Sequence, residues 1–156
     1  MAETVSFPAA PGTYLLLLEC PAPAQVRAGA LGLLTAAPGW YAYAGSAFGP
    51  GGLAGRLKHH LSAGRPQHWH IDALKTAASV RQVWYTLEQQ RVEHVWAQAC
   101  AALPGVSIPW PGFGASDCAC PAHLCYRLAP FDPGAFDQAL RRLHPGQAAL
   151  EIVRLA

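Results

Sequence analysis

The spacing of hydrophobic residues changes from the period of a strand to the period of a helix between positions 39 and 60. Aromatic and small residues alternate from position 40 to position 44 as in an extended chain, which puts Tyr41 and Tyr43 on one face. After a turn rich in glycine and proline, leucines recur at the four-residue step of one helix face, at Leu53, Leu57 and Leu61. Arg56 and His60, also four residues apart, flank that face. The sequence therefore predicts a strand, a turn and a helix that bring tyrosine, arginine and histidine side chains to one place.

The rest of the chain carries both strand and helix patterns. Apolar and β-branched runs predict strands over residues 13–20, 80–87, 123–128 and 149–155. Residues 25–38 suit a short extra strand or a turn. Helical patterns cover residues 68–78 and 91–103, and a C-terminal helix is expected to start at Asp132, with Pro133 in its first turn. Because these strands are too many for a helical bundle, we predict an α+β fold with a small antiparallel β-sheet flanked by α-helices.

Length and composition indicate one folded domain. The chain has 156 residues, of which 52% are hydrophobic and 13% are charged, and this balance excludes a disordered, highly solvated chain. No basic N-terminal region precedes an apolar run, and the longest leucine run, at residues 15–18, is too short to cross a bilayer. We therefore expect a cytoplasmic protein with no membrane partner.

The charge is distributed unevenly although the net charge is only +2. Residues 56–70 contain lysine, arginine and histidine side chains but no acidic residue. The next acid in the chain is Asp72. Such a basic stripe suits contact with phosphate groups. The residues predicted to contact nucleic acid are Arg56, Lys58, His59, Arg65, His68 and His70. A solvated helix face is the structural alternative for the same stripe.

Four short features, in a fixed order, resemble the GIY-YIG nuclease superfamily. They are Gly12-Thr13-Tyr14 on the first strand, Tyr43-Ala44-Gly45 on a second, Arg56 on the next helix and Glu93 on a later helix. The fuller sequence YAYAGSAFGPGGLAGRLKHHL, followed by HWHIDAL, is similar to a divergent branch of that superfamily. This branch has long been described as a domain of unknown function and is sometimes fused to endonuclease III-like repair glycosylases. The resemblance covers about residues 12–128 as the core of the domain, with residues 129–156 as a C-terminal extension of helix and strand.

The resemblance implies hydrolysis of a nucleic-acid phosphodiester with one divalent metal ion, Mg²⁺ or Mn²⁺, bound by Glu93. Tyr14 is then expected to help remove a proton from the attacking water, Tyr43 to share that task and Arg56 to steady the phosphate. His60, one helical turn after Arg56, is placed to relay a proton or to contact the leaving oxygen. One carboxylate is sufficient, because Mg²⁺ keeps several of its waters. The expected role is DNA repair or processing, with DNA favoured over RNA and a repair protein as a further partner.

Each of these residues also has a structural alternative. The tyrosines suit the core of a sheet, the arginine suits a solvated helix face, and Glu93 in the first turn of a helix complements the helix dipole. The chain also contains no asparagine, whereas many members of the superfamily place one near the site. Either another polar residue such as Ser116 or Asp117 replaces it, or the domain is a catalytically inactive nucleic-acid-binding module.

Two further groups of residues carry the chemistry of metal ligands. Residues 117–125, DCACPAHLC, bring three thiols and one imidazole together, but their spacing is too local for a typical structural zinc site. We expect Cys118, Cys120 and Cys125 to be reduced and metal-free, because no secretory signal accompanies the five cysteines of the chain. The motif HWHID at residues 68–72 suits contact with a metal or a substrate. Its structural alternative is that Asp72 orients a histidine or caps the helix.

Overall fold

A five-stranded antiparallel sheet organises the protein in a computed structural model that describes residues 5–62, 70–114 and 122–155. The strands of this sheet are β1 (Gly12–Cys20), β4 (Gly39–Ala47), β5 (Ser79–Thr86), β6 (Leu124–Arg127) and β7 (Glu151–Arg154), and their order is β6-β4-β1-β5-β7. Between β1 and β4 the chain forms an antiparallel hairpin of β2 (Ala24–Arg27) and β3 (Leu33–Ala36). The helices are α1 (Gly52–Leu61), α2 (His70–Leu74), α3 (Glu93–Ala101) and α4 (Pro133–Leu143). The predicted α+β class is confirmed.

β1 is the central strand of the sheet, because it pairs with β4 on one side and with β5 on the other. Its continuous apolar sequence is buried on both faces. Successive side chains of a strand point to opposite faces. Tyr14, Leu16 and Leu18 accordingly pack in one core cluster, while Leu15 and Leu17 pack in the other.

The two core clusters lie under two different sets of helices. The first cluster contains Leu53 and Leu57 of α1 and Leu74 of α2, together with residues of the β2–β3 hairpin. The second cluster contains Trp96 of α3 and Phe136 of α4. The sheet therefore lies between two layers, and the tyrosines of interest are on the layer with α1 and α2.

Periodicity predicted most elements to within a few residues, but the helix expected over residues 68–78 is shorter. α2 covers His70–Leu74, and residues 68 and 69 lie outside the described part of the chain. The backbone N–H of Thr76 and its hydroxyl both donate to the carbonyl of Ala73, at 3.1 and 2.6 Å. This local bonding forms a turn that is tighter than an α-helix, and the chain then enters β5. The ambiguous region at residues 25–38 is the β2–β3 hairpin.

The C-terminal extension is part of the same domain. Asp132 caps α4 as expected, because its Oδ2 accepts a hydrogen bond from the Ala135 N–H at 3.0 Å. Phe136 and Leu140 of α4 are fully buried, and β7 pairs with β5 at the edge of the main sheet. None of the helices in the described ranges has the length and apolar character needed to cross a membrane.

Candidate functional site

Two buried tyrosines on neighbouring strands form the base of the candidate site. In the register of β1 and β4, Tyr14 is opposite Gly45, and Tyr43 lies two residues before Gly45 on the same face. Tyr14 is fully buried, and Tyr43 is 7% exposed. The Tyr14 ring lies over Gly45, where an added Cβ atom would stand 2.4 Å from Tyr14 Oη. Glycine at position 45 is therefore what allows the Tyr14 hydroxyl to occupy this place.

The last turn of α1 brings His60 to the Tyr14 hydroxyl. The helix buries Leu57 against the sheet, and His60, which is 1% exposed, follows on the same side. His60 Nε2 lies 2.7 Å from Tyr14 Oη, and the Arg56 side chain also hydrogen-bonds to Tyr14. A guanidinium group can only donate. The Tyr14 oxygen therefore accepts from Arg56, and its own proton is free to be donated to His60 Nε2 when the neutral histidine carries its ring proton on Nδ1.

Burial keeps these groups in their neutral forms. It raises the pKa of Tyr14 far above the usual value, and Arg56 partly opposes this shift. Burial also raises the pKa of Tyr43 to about 12, again with Arg56 opposing and Asp72 adding to the shift. Burial lowers the pKa of His60 to about 3, although Asp72 opposes the change. At neutral pH the site therefore holds two phenols and one neutral imidazole.

Asp72 of α2 supplies a negative charge beside this cluster. The residue is 8% exposed, and its carboxylate lies 3.5 Å from His59 Nε2. It also raises the pKa of His60 and of Tyr14, as a nearby anion does. The structure thus agrees with the alternative in which Asp72 orients a histidine, and that histidine is His59.

His70, which the sequence places among the nucleic-acid contacts, is tied to the loop after α3. Its Nδ1 accepts a hydrogen bond from the Gly114 N–H at 3.0 Å, and its ring centre is 5.3 Å from that of Phe113. Gly114 has a φ of +70°, and a Cβ atom there would stand 2.8 Å from Cε2 of Tyr43. His70 therefore helps to hold this loop against the ring of Tyr43.

Glu93 approaches the site from the other layer of the protein. It begins α3, which packs on the second core cluster rather than on the one that contains Tyr14. Burial raises the pKa of Tyr43, and the negative charge of Glu93 raises it further. The Glu93 carboxylate therefore acts on the site through its effect on Tyr43. The structure brings Tyr14, Arg56 and His60 into contact and places Glu93 within electrostatic reach of Tyr43.

The surroundings of Glu93 fit a divalent cation. Its Oε2 is buried and has no hydrogen-bond partner among residues 5–62, 70–114 and 122–155. A buried, uncompensated carboxylate oxygen is costly, and a cation offsets that cost. The described residues contain no cluster of three or more His, Cys, Asp or Glu side chains able to hold a metal. Mg²⁺ does not require such a cluster, because it binds through one or two carboxylates and keeps its waters.

The basic stripe is described only in part. Lys58 is exposed on α1, while Arg56 and His59 are partly buried. Arg65 and His68 lie outside the described residues, so their contribution to the stripe stays a prediction.

The cysteine-rich stretch at residues 117–125 is likewise described only at its end. Cys125 is a buried thiol in β6, and its hydrogen bond to Cys100 raises the pKa of Cys100. Cys118, Cys120 and the two proposed asparagine replacements, Ser116 and Asp117, lie outside the described residues.

His123 is a residue of the site that the sequence did not reveal. It was expected only as a strand residue and as one member of the cysteine-rich stretch at residues 117–125, yet it lies close to Tyr43. Gly114 shows this proximity, because a Cβ atom there would stand 3.3 Å from His123 Cβ and 3.5 Å from Tyr43 Oη. Burial lowers the pKa of His123, and Glu93 opposes that change. The sequence offered one signal for this role: His123 directly precedes β6, and β6 pairs with β4, the strand that carries Tyr43.

Comparison with known proteins identifies a family but no activity. The family model described as "Domain of unknown function DUF123" matches residues 13–143. No curated protein matches the chain, and no solved structure matches it. The matched range includes every residue of the site described above.

Proposed function

The chain belongs to the family described as Domain of unknown function DUF123, and for this domain we propose the activity of a metal-dependent nuclease related to the GIY-YIG superfamily. The observation that carries the proposal is the buried cluster in which Tyr14 Oη lies 2.7 Å from His60 Nε2 and hydrogen-bonds to Arg56. A phenol held between a cationic donor and a neutral imidazole is arranged to move a proton. The substrate class is a nucleic-acid phosphodiester, with DNA preferred, in repair or processing.

In this proposal Tyr14 and His60 act together on the attacking water. The water loses a proton to the Tyr14 oxygen while Tyr14 passes its own proton to His60 Nε2. As these protons move, the water oxygen bonds to phosphorus, and the bond from phosphorus to the leaving oxygen breaks with its electron pair staying on that oxygen. His60 becomes an imidazolium, which the Asp72 carboxylate stabilises because it raises the pKa of His60. Because the resting pKa of His60 is about 3, the proton moves as the new bond forms and not before it.

Arg56 has two tasks in this scheme. It donates to the Tyr14 oxygen, which fixes the direction of the Tyr14 proton. Its guanidinium also has the planar fork of donors that matches phosphate oxygens. Tyr43 stays a phenol at neutral pH, because burial raises its pKa to about 12. In this scheme its hydroxyl helps to orient the attacking water.

Glu93 would hold the divalent ion, Mg²⁺ or Mn²⁺, through its buried Oε2. The bound ion would lower the pKa of a coordinated water and neutralise charge on the phosphoryl group. Glu93 contributes the negative charge that attracts the ion, and its position at the start of α3 keeps that charge close to Tyr43.

The second candidate is a nucleic-acid-binding module of the same fold without turnover. Two observations favour it: the sequence contains no asparagine, and burial makes His60 a weak proton acceptor. This candidate keeps Arg56 and Lys58 as phosphate contacts and assigns no reaction to the tyrosines.

Cleavage assays with Glu93→Gln separate the two candidates. We expect the wild type to cut at least one of a panel of single-stranded, duplex and branched DNA substrates with Mg²⁺ or Mn²⁺. Glu93→Gln should cut about 100-fold or more slowly, because the amide keeps the shape of the side chain and loses the charge that holds the ion. Its DNA binding should be close to that of the wild type. Glu151→Gln, at an exposed glutamate of β7, is the matched control and should cut normally.

The outcomes differ clearly between the candidates. Arg56→Ala should lose binding as well as cleavage, because it contacts phosphate before and during the reaction. Equal cleavage by the wild type and Glu93→Gln would show that Glu93 is only a charge at a helix end. A wild type that binds the panel and cuts none of it would establish the binding module.

A further inference from the structure

We propose that Glu93 and His123 together form a mixed carboxylate–imidazole site for one divalent transition-metal cation of the Mn²⁺ type. The proposal rests on the nuclease function insofar as it extends the site of Glu93. It assigns a second protein ligand and a preference among cations, neither of which follows from Glu93 alone.

The backbone of His123 is held firmly beside the strand of Tyr43. Its N–H donates to the Phe113 carbonyl at 2.8 Å, and its carbonyl accepts from the Ala44 N–H at 2.9 Å. The next residue, Leu124, is the register partner of Tyr43 in the pairing of β4 with β6. Two hydrogen bonds and a strand register thus fix the point from which the imidazole projects, as a ligand site requires.

The imidazole of His123 is buried. His123 is 7% exposed, and within the described residues its Nε2 has no hydrogen-bond partner. Glu93 Oε2 is in the same condition. A buried polar atom without a partner is costly, so two such atoms that act on each other electrostatically are suited to share one bound cation.

Electrostatics connects the two side chains. The Glu93 carboxylate acts on His123 and also on Tyr43. His123 and Tyr43 are neighbours, because a Cβ atom at Gly114 would stand 3.3 Å from His123 Cβ and 3.5 Å from Tyr43 Oη. A carboxylate oxygen and a neutral imidazole nitrogen both offer lone pairs. A cation satisfies both atoms at once and also compensates the negative charge of Glu93. A water molecule provides hydrogen bonds but no compensating charge.

The chemistry of this ligand pair favours some cations over others. Imidazole nitrogen suits transition metals, whereas Mg²⁺ prefers oxygen ligands and keeps its waters. One carboxylate and one imidazole therefore favour Mn²⁺ over Mg²⁺, and His123 should matter much more for the first ion than for the second.

Titration of the purified full chain with Mn²⁺, followed by the electron paramagnetic resonance signal of the free ion, tests the site. The wild type should bind one Mn²⁺. His123→Ala should weaken Mn²⁺ binding about 10- to 100-fold, while Mg²⁺ affinity, measured by competition, should change much less. His94→Ala is the matched control, because His94 is an exposed histidine next to Glu93 whose charge also acts on His123. It should leave Mn²⁺ affinity nearly unchanged.

A second measurement uses the wild type and so does not depend on the folding of a variant. In ¹⁵N-histidine spectra, Zn²⁺ added as a diamagnetic probe should shift the Nε2 resonance of His123. An unshifted His123 Nε2 at saturating Zn²⁺ would overturn the proposal.

Failure of this proposal is distinguishable from failure of the nuclease function. Loss of Mn²⁺ binding in Glu93→Gln, with normal binding in His123→Ala, would overturn the shared site and leave the nuclease proposal standing. Mn²⁺ binding that needs both residues, in a wild type that cuts no substrate, would support the shared site and overturn the nuclease. A wild type that binds no Mn²⁺ would overturn the shared site.

Discussion

At the scale of single residues, the position of the Tyr14 hydroxyl depends on the absence of a side chain at Gly45. The antiparallel register puts these two residues opposite each other, and the tyrosine ring fills the space above the glycine. The hydroxyl then reaches both Arg56 and His60. The glycine of the Tyr43-Ala44-Gly45 tripeptide therefore has a packing role that its sequence context does not reveal.

Gly45→Ala should displace Tyr14 from His60. The added Cβ would stand 2.4 Å from Oη and 2.5 Å from Cζ, so the ring must move. We expect a loss of about 1–3 kcal/mol in the free energy of unfolding, measured with urea. Cleavage should also slow, because Tyr14 Oη would no longer lie beside His60 Nε2. Gly146→Ala is the control, because a Cβ there meets no atom within 4 Å. Wild-type stability and cleavage in Gly45→Ala would show that Tyr14 shifts without cost.

The neutral state of His60 should make the protein less stable in acid. Its pKa is about 3 in the folded protein and about 6.5 in an unfolded chain, so the unfolded state binds more protons between these values. Stability from this residue is present above pH 6.5 and is lost as the pH falls towards 3. The slope should approach 1.4 kcal/mol per pH unit.

His60→Gln should remove this part of the pH dependence. Urea unfolding at several values between pH 7 and pH 4 should give a shallower decline for His60→Gln than for the wild type. His144→Gln keeps His60 and should retain the steep decline. Parallel curves for the wild type and His60→Gln would mean that His60 is protonated in the folded protein as readily as in the unfolded chain.

At the scale of elements, the site draws on both faces of the sheet, and β4 is the strand that connects them. Tyr43 packs with α1 and α2, whereas the next residue, Ala44, packs on the core beneath α3. The Ala44 N–H also donates to the His123 carbonyl, which holds the segment before β6 in place. β4 therefore packs against both helical layers. Glu93, at the start of α3 in one layer, acts through its charge on Tyr43, which faces the other layer.

α4 belongs to the layer away from the Tyr14 cluster, so its start should affect stability but not function. Asp132 Oδ2 accepts the Ala135 N–H, and its loss should destabilise the protein by about 1 kcal/mol. Asp132→Ala should show this loss in urea unfolding and cut DNA at the wild-type rate. Gln138→Ala, at an exposed position in the same helix, should be close to neutral. A stable Asp132→Ala would mean that water replaces the cap at no cost.

At the scale of the whole molecule, a small net charge conceals a local concentration of basic residues. The chain carries +2 overall, while Lys58 is exposed on α1 close to Arg56 in sequence. A local basic surface determines how strongly salt weakens the binding of nucleic acid, because each phosphate contact releases counterions.

DNA binding should weaken steeply as salt rises. Fluorescence anisotropy with a labelled duplex between 50 and 200 mM salt should give a linear fall of log K with log salt. Lys58→Gln should reduce the magnitude of that slope by about 1, the change expected when one phosphate contact is lost. Arg154→Gln, at an exposed basic residue of β7, should leave it unchanged. Binding that does not depend on salt would contradict the assignment of this stripe to phosphate contact.

Local pattern was sufficient for most of the elements, because burial follows periodicity. The continuous apolar run of β1, the alternation in β4 and the leucine spacing of α1 each allow one way to bury their apolar side chains. The start of α4 was also predictable, since an N-cap is a local interaction. The end of α2 was not, because the bonds that Thr76 makes to Ala73 compete with a helix that the composition allowed.

The amino-acid sequence by itself determined the α+β class, the order of the elements and the set of Tyr14, Tyr43, Arg56, His60 and Glu93 as candidates. Only the tertiary structure decided which of them touch: Tyr14 hydrogen-bonds to His60 and Arg56. Glu93 acts on Tyr43 through its charge. It also brought in Asp72 and His123, which the sequence left with structural alternatives. The physical reason is that hydrophobic periodicity specifies the face of an element that is buried. The distance between polar atoms depends on strand register and on close contacts such as that over Gly45, which form only when distant segments pack together.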